Sequence, residues 1–247
     1  MSRIDEYRVL LKTRPDWDEF LLSNSGLPGP RGNIELAQAV AEEGNLEFFL
    51  HCISYSPELA PVNSPYEFLA FCGILGLGRL LAEGDERFLP RLYQAAADPR
   101  WRTREAVAMA LQRWGDAQID RLVVEMRNWA QDDYFQQRAA AAALCEPRLL
   151  EQPQIVLAVL EILDTITLAI VQADDRKCDG FIALRKGLAY CWSVAVAASP
   201  SEGKTWMEKW LVHPDRDVRW IMKENLKKNR LSRMDAAWKE RWLAQIG

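Results

Sequence analysis

The sequence predicts an all-α fold: a right-handed α-solenoid of stacked antiparallel helix pairs, read as a single helical-repeat domain over residues 1–247. Three observations predict it. An aspartate-bearing turn, an arginine and an apolar helix-forming run recur as DPRWRTREAVAMAL from Asp98, QDDYFQQRAAAAAL from Gln131 and HPDRDVRWIMKENL from His213. Apolar residues return at helical spacing along most of the chain, and period-two alternation is nearly absent. Helix-opening residues recur at helix-pair intervals: Asp85, Asp98-Pro99, Gly115-Asp116, Asp132-Asp133, Pro147, Pro153, Ser199-Pro200 and His213-Pro214. The phrase aligns Arg104, Arg138 and Arg219. Their second separation has room for roughly two periods of about 40 residues, a length typical of helical arrays.

Residues 1–60 read as an irregular N-terminal cap, with SNSGLPGPRGN (Ser23–Asn33) too rich in glycine and proline for a helix. Repeats are expected over 65–231. The block Tyr66–Leu81 contains Gly73, Gly76 and Gly78 without a preceding strand or a dinucleotide-loop order, so these glycines read as close-packing positions. Helices follow over Glu86–Ala97 and Ala117–Ala130, the second on Ile119, Leu122, Val123, Met126 and Trp129. Alanines 139–143 let neighbouring helices approach. Ile155–Val171 reads as a buried helix, CWSVAVAA as part of a helical Phe181–Ala198 block, Val218–Lys227 as a helix, and 232–247 as a C-terminal capping helix.

Composition narrows the setting. The 247 residues are 49% hydrophobic, enough for a sizeable core. Cys52, Cys72, Cys145, Cys178 and Cys191 are scattered without a CxxC pair and read as thiols of a reducing compartment. The start of the chain lacks a secretion-signal pattern, which points to the cytoplasm. Ile155–Val171 is interrupted by Glu161 and Asp164 and falls short of the ~20 residues of a membrane span, so no membrane association is expected. The net charge of −4 is uneven, with 15 Lys/Arg against 8 Asp/Glu after residue 175. A basic end of this kind suits an anionic partner or a solvated surface.

Few residues suggest chemistry. His51 and His213 are the only histidines, too few for a zinc site or a histidine-based triad; no metal, cofactor or catalytic residue is expected. Glu161 and Asp164 stand one turn apart but read as the polar edge of a buried helix. Arg219, Lys223, Lys227 and Arg230 form a cationic stripe at spacings of four, four and three, with Arg216 and Lys228 beside it. Six of the ten tryptophans (Trp192, Trp206, Trp210, Trp220, Trp238, Trp242) share this end, either as core or as stacking surfaces for nucleic acid. Arg185, Lys186, Arg216, Arg219, Lys223 and Lys227 are the candidate contacts for nucleic acid or another anionic partner.

The recurring strings over Glu86–Leu231 resemble HEAT-type repeats, in which a turn aspartate and the following arginine, or its neighbour's equivalent, build a ladder along the stack. LRKGLAYCWSVAV from Leu184 and DVRWIMKENLKKNRL from Asp217 are similar to the HEAT-like alkylpurine DNA glycosylases of DNA alkylation repair. That resemblance implies a concave-face pocket where aromatic residues and an acid trap a cationic base. Its nearest positions here are Trp101, Glu105, Arg138 and Tyr190. The family's catalytic motif is not retained: Trp101 stands alone, the acid is glutamate, and tyrosine replaces the motif tryptophan at 190. The sequence therefore predicts a non-catalytic HEAT-repeat scaffold or adaptor that holds a macromolecular partner on its concave face. A protein is the first expectation, and a DNA-binding or DNA-repair role is the alternative. The oligomeric state is left open.

Overall fold

A computed structural model describes residues 2–246. Among them are thirteen α-helices, two 3-10 turns and no strand. The helices are α1 (Arg3–Lys12), α2 (Asp18–Asn24), α3 (Ile34–Glu43), α4 (Leu46–Ile53), α5 (Pro65–Ala82), α6 (Leu89–Ala95), α7 (Trp101–Trp129), α8 (Tyr134–Leu144), α9 (Pro153–Gln172), α10 (Asp179–Ala198), α11 (Pro200–Leu211), α12 (Arg216–Leu226) and α13 (Asn229–Ile246). Local chemistry sets many of the starts. Ser2, Asn33, Asn45, Ser64 and Asp215 cap α1, α3, α4, α5 and α12 with side-chain oxygens, and prolines open α5, α9 and α11.

The described residues divide into two compact units, with the boundary between 117 and 118, where the sequence predicts one array. The boundary falls at a break in α7: Gln118 has φ −146° and ψ 62°. The break lies two residues beyond the predicted Gly115-Asp116 punctuation and just inside the predicted Ala117–Ala130 helix. Residues 1–60 are also more ordered than predicted, since α1 to α4 all lie there. Each is short and contributes a few buried apolar residues, among them Leu11, Leu21, Leu36, Val40 and Phe49, a pattern too brief to stand out as periodicity. Of the predicted Ser23–Asn33 loop, Ser23 and Asn24 belong to α2 and the remainder is irregular.

In the first unit, side-chain pairs show which helices run side by side. Tyr7, midway along α1, meets Asn33 at the start of α3 (3.0 Å), and Lys12 at the end of α1 meets Glu43 at the end of α3 (3.3 Å), so the two are parallel. Gly32 faces Phe68 at one end of α3 and α5, and Arg79 Nη2 donates to the Gly44 carbonyl at the other (2.9 Å). The first part of α7 continues the series: Arg102 meets Glu67, and Ala110 meets Gly78, both on α5. By contrast α4 is antiparallel to α5, with Phe49 on Gly76 and Cys52 on Gly73. The predicted close-packing role of Gly73, Gly76 and Gly78 is thus what the structure shows.

The second unit repeats the scheme. Tyr134 packs edge-on against Phe181 (5.7 Å between centroids), Arg138 lies against Gly187 and the Cys145 and Cys191 thiols are hydrogen-bonded, which makes α8 and α10 parallel. Arg185 pairs with Asp217 and Ser193 with Asn225, so α12 follows α10 in the same sense. On the other side Lys204 meets Asp235 and Glu208 accepts from Trp238, aligning α11 with α13. Trp192, Trp210 and Trp238 are core residues, each bonded through its indole N–H to Thr167, Asp164 and Glu208. Glu161 pairs with Arg127 and Asp164 also binds Lys209, partners that the sequence did not show.

Three helices, α5, α9 and α10, are long and apolar enough to cross a membrane. For α9 this corrects the sequence expectation, because the helix extends past Ile155–Val171 to 20 residues. Between 50% and 72% of each apolar window is nonetheless buried against the protein's own residues.

Asn225 ties the α10–α12 contact together. It is fully buried, accepts from the Ser193 amide at 2.8 Å, and donates to the Leu188 and Ile221 carbonyls at 2.8 Å each. Asn225→Leu keeps the volume and strands the Ser193 amide, so urea unfolding should show a loss of about 1–3 kcal/mol. An unchanged midpoint would contradict this account of the contact.

Candidate functional site

The first unit contains an apolar recess of about 150 Å³ beside the start of α7. Trp101 and Glu105 line it from α7, Phe68 and Phe71 from α5, and Leu27 and Pro30 from the preceding loop, with Met109 one turn beyond Glu105. The two phenylalanine rings are nearly coplanar in orientation, at 7° with centroids 6.3 Å apart. Trp101 remains 45% exposed although it is part of this wall. An aromatic surface that the fold leaves in water is the kind of group that anchors a ligand or a partner.

A buried polar network holds the recess open from below. Glu67 is fully buried and accepts from Arg102 Nη1 (3.2 Å) and from the Asn63 amide (2.6 Å). Arg102 Nη2 reaches the Gly29 carbonyl (2.7 Å) and Asn63 Oδ1 (3.3 Å), and the Gly29 amide donates to the same Asn63 oxygen. Asn63 sits at φ 66°, a left-handed conformation that asparagine tolerates better than most residues. These contacts fix the loop carrying Leu27 and Pro30 against α5 and α7. The Arg102 guanidinium also lies 4.4 Å from the Trp101 ring, which holds the indole in place.

The second unit carries a different arrangement on α8, α10 and α12. Tyr190 is 43% exposed; Arg230 donates to its hydroxyl and stacks 4.6 Å from its ring, and Lys228 Nζ lies 5.8 Å away. Lys186 is exposed one turn earlier on α10, and the Arg138 stem lies beside Gly187 between them. The group is an aromatic face ringed by cations.

The other predicted contacts are dispersed. Arg185 forms an ion pair with Asp217 (2.8 Å) and stacks 3.8 Å above Trp220, so its charge is committed to the fold. Arg219 donates to the Ile246 carbonyl (3.0 Å), closing the end of α13, and Lys227 pairs with Glu224. Arg216 is largely exposed next to Asp217, and Lys223 is half-buried. The stripe read along α12 is thus interrupted by acids that partner its members. Asp215 shows the same drain on the cations. Burial pushes its carboxyl up, but the Val218 and Asp217 amides and the Arg176 guanidinium outweigh this and hold it below the ordinary aspartate range. Among the cysteines, Cys52, Cys72, Cys145 and Cys191 are buried thiols with burial-raised pKa values at the first three, while Cys178 is part-exposed.

No family model, curated protein or solved structure matches this chain. The site therefore rests on geometry alone. Trp101 and Glu105 are brought together in one unit, and Arg138 and Tyr190 in the other. Sequence reasoning missed Phe68, Phe71, Met109 and the Glu67–Arg102 pair. One signal was present: Glu67 is the one acid of the strongly apolar helix α5, and a carboxylate buried there requires a partner. The clustering of Arg230 and Lys228 on Tyr190, about 40 residues distant in sequence, had no local signal.

The buried pair predicts a distinctive mutant series. Glu67→Gln leaves Arg102 without its counter-charge and should cost about 3–5 kcal/mol of stability, read by denaturant unfolding. The double change Glu67→Leu with Arg102→Met should recover most of that loss. If the single and double variants are equally unstable, the pair is not what supports the recess.

Proposed function

We propose that this chain is a non-catalytic, HEAT-type helical-repeat adaptor, right-handed in its stacking, that holds a protein partner by an apolar anchor side chain. The observation that carries the reading is the Trp101 recess. It offers a half-exposed indole, two phenylalanine faces and Met109 over a buried, ion-paired base, which is the composition of a hot-spot pocket. Parallel succession of α3, α5 and α7, and of α8, α10 and α12, supports the repeat reading, because side-by-side helices of equal sense are how stacked helix pairs contact one another. The recess suits a leucine- or phenylalanine-sized group.

Selection from a displayed peptide library should return sequences that share one large apolar residue. Trp101→Ala should weaken those peptides about 30-fold, measured by calorimetry, as expected for loss of a hot-spot anchor. Peptides that bind the variant as tightly as the wild type would sink the adaptor reading at this recess.

A second reading, nucleic-acid binding related to the alkylpurine glycosylases, is favoured by the cation-ringed Tyr190. A base stacked on the ring with phosphates on Arg230, Lys228 and Lys186 would use the patch fully. Single-stranded oligonucleotide affinity should then fall steeply with salt, and Arg230→Gln should lower the magnitude of the log–log slope by about 1. Absence of binding at low salt removes this reading.

A further inference from the structure

A second cavity in the first unit contains a hydroxyl that the fold does not use. The space, about 260 Å³, is bounded by Ile53, Ala70 and Ile74 on its aliphatic side and by Arg91, Gln94, Asp98, Arg100 and Thr103 on its polar side. Thr103 is 2% exposed, and its Oγ1 has no hydrogen-bond partner among the described residues. A helical threonine ordinarily turns its hydroxyl to the carbonyl four residues back. Here the Pro99 carbonyl accepts from Arg104 Nη1 at 3.1 Å, and the Thr103 hydroxyl does not bond to it. A buried, unpaired hydroxyl lowers stability unless something fills its valence.

The remaining polar groups decide what that could be. Asp98 is the acid of the lining, but its Oδ1 accepts from the Arg100 amide and Nε (2.7 and 2.9 Å) and its Oδ2 from Arg100 Nη2 (2.7 Å). Arg100 in turn spends Nη1 on the Tyr55 and Ala60 carbonyls, so the pair is closed upon itself. Ser56 donates to Glu58. Arg91 and Gln94 are different: they stand one turn apart on α6, both exposed, and neither meets a carboxylate among the described residues. The groups left over are a guanidinium, a carboxamide and a hydroxyl above an aliphatic wall. Such a donor-rich inventory calls for an acceptor-rich ligand with a short apolar body.

We propose that this cavity binds a small aliphatic carboxylate that carries a second oxygen function. Its carboxylate rests on Arg91 and Gln94, its other oxygen on Thr103 Oγ1, and its hydrocarbon part on Ile53 and Ile74. The site is separate from the Trp101 recess and does not depend on the adaptor reading.

Calorimetry and ligand-observed NMR on the full chain test it, with 4-methyl-2-oxopentanoate as probe and 4-methylpentan-2-one as its neutral counterpart. The acid should bind saturably and the ketone should not. Arg91→Gln should weaken the acid about tenfold, the loss of a charge-assisted pair. Thr103→Val should weaken it several-fold while the unliganded melting temperature stays equal or rises, since the substitution removes an unpaired polar group. A merely structural threonine would lower that temperature instead. The proposal is overturned by no saturable binding up to about 10 mM, by equal binding of the ketone, or by full affinity in both variants.

Discussion

Helix backbones in this protein come close enough that a methyl group does not fit between them. A Cβ on Gly78 would lie 2.4 Å from Ala110 Cα, and one on Gly203 would lie 2.5 Å from Val196 Cα. Neither collision can be relieved by turning a flexible side chain, because the obstacle is backbone. Close approach leaves little freedom to slide, so it fixes which residues face each other further along. With Gly78 seated on Ala110, the start of α5 is carried to the start of α7, where Glu67 meets Arg102. The recess exists because that pair, and the Gly29 loop bonded to it, have no other register available. In the second unit Gly187 has the milder version of the same role, its missing side chain letting the Arg138 stem lie along α10 one turn from Tyr190.

The recurring arginine of the sequence phrase illustrates how a repeated position acquires different work. The predicted ladder pairs each turn aspartate with the arginine that follows it or with the equivalent arginine of a neighbouring repeat. In the structure Asp98 is taken by Arg100, whose fork fits both carboxylate oxygens, and Arg104 settles on the Asp98 and Pro99 carbonyls. Around α12 the turn acids Asp215 and Asp217 are reached from the preceding layer, by Arg176 and Arg185, and Arg219 turns to the last turn of α13. Ion pairs thus join α10 and the segment before it to the start of α12, and arginines other than the aligned ones make them. Bidentate reach decided the pairing, and sequence alignment has no access to reach.

All-helical character was legible because it depends on short-range periodicity: α9, α10 and α12 coincide with the blocks read from apolar spacing to within a few residues. The glycines of α5 were legible for the same reason, since glycine inside a strongly apolar helix has few explanations other than contact. The break at Gln118 was legible to within a few residues through the Gly115-Asp116 punctuation, but its exact place was not, because glutamine carries no signal of non-helical backbone. Of the site, Trp101 and Glu105 were found as neighbours one turn apart on a helix. Phe68 and Phe71 read as ordinary core, and only the tertiary register leaves them lining a space.

The two units solve opposite problems, and this bears on what each can hold. Around Trp101 the charges of Arg102 and Glu67 are buried and paired with each other, and the surface they support is apolar. Around Tyr190 the apolar groups are buried in the α8, α10 and α12 contacts and cations are left at the rim. Bulk charge does not explain the second case, because residues 118–247 contain 19 Lys/Arg against 18 Asp/Glu. The cationic rim arises because acids such as Asp217, Glu224 and Asp164 are drawn to Arg185, Lys227 and Lys209, leaving Tyr190 with Arg230 and Lys228. Local segregation of charge, rather than net charge, is then what a polyanion would sense at this surface, within a screening length of roughly 8 Å at physiological salt. Substitutions that release Asp217 or Glu224 from their partners would weaken the patch without touching it.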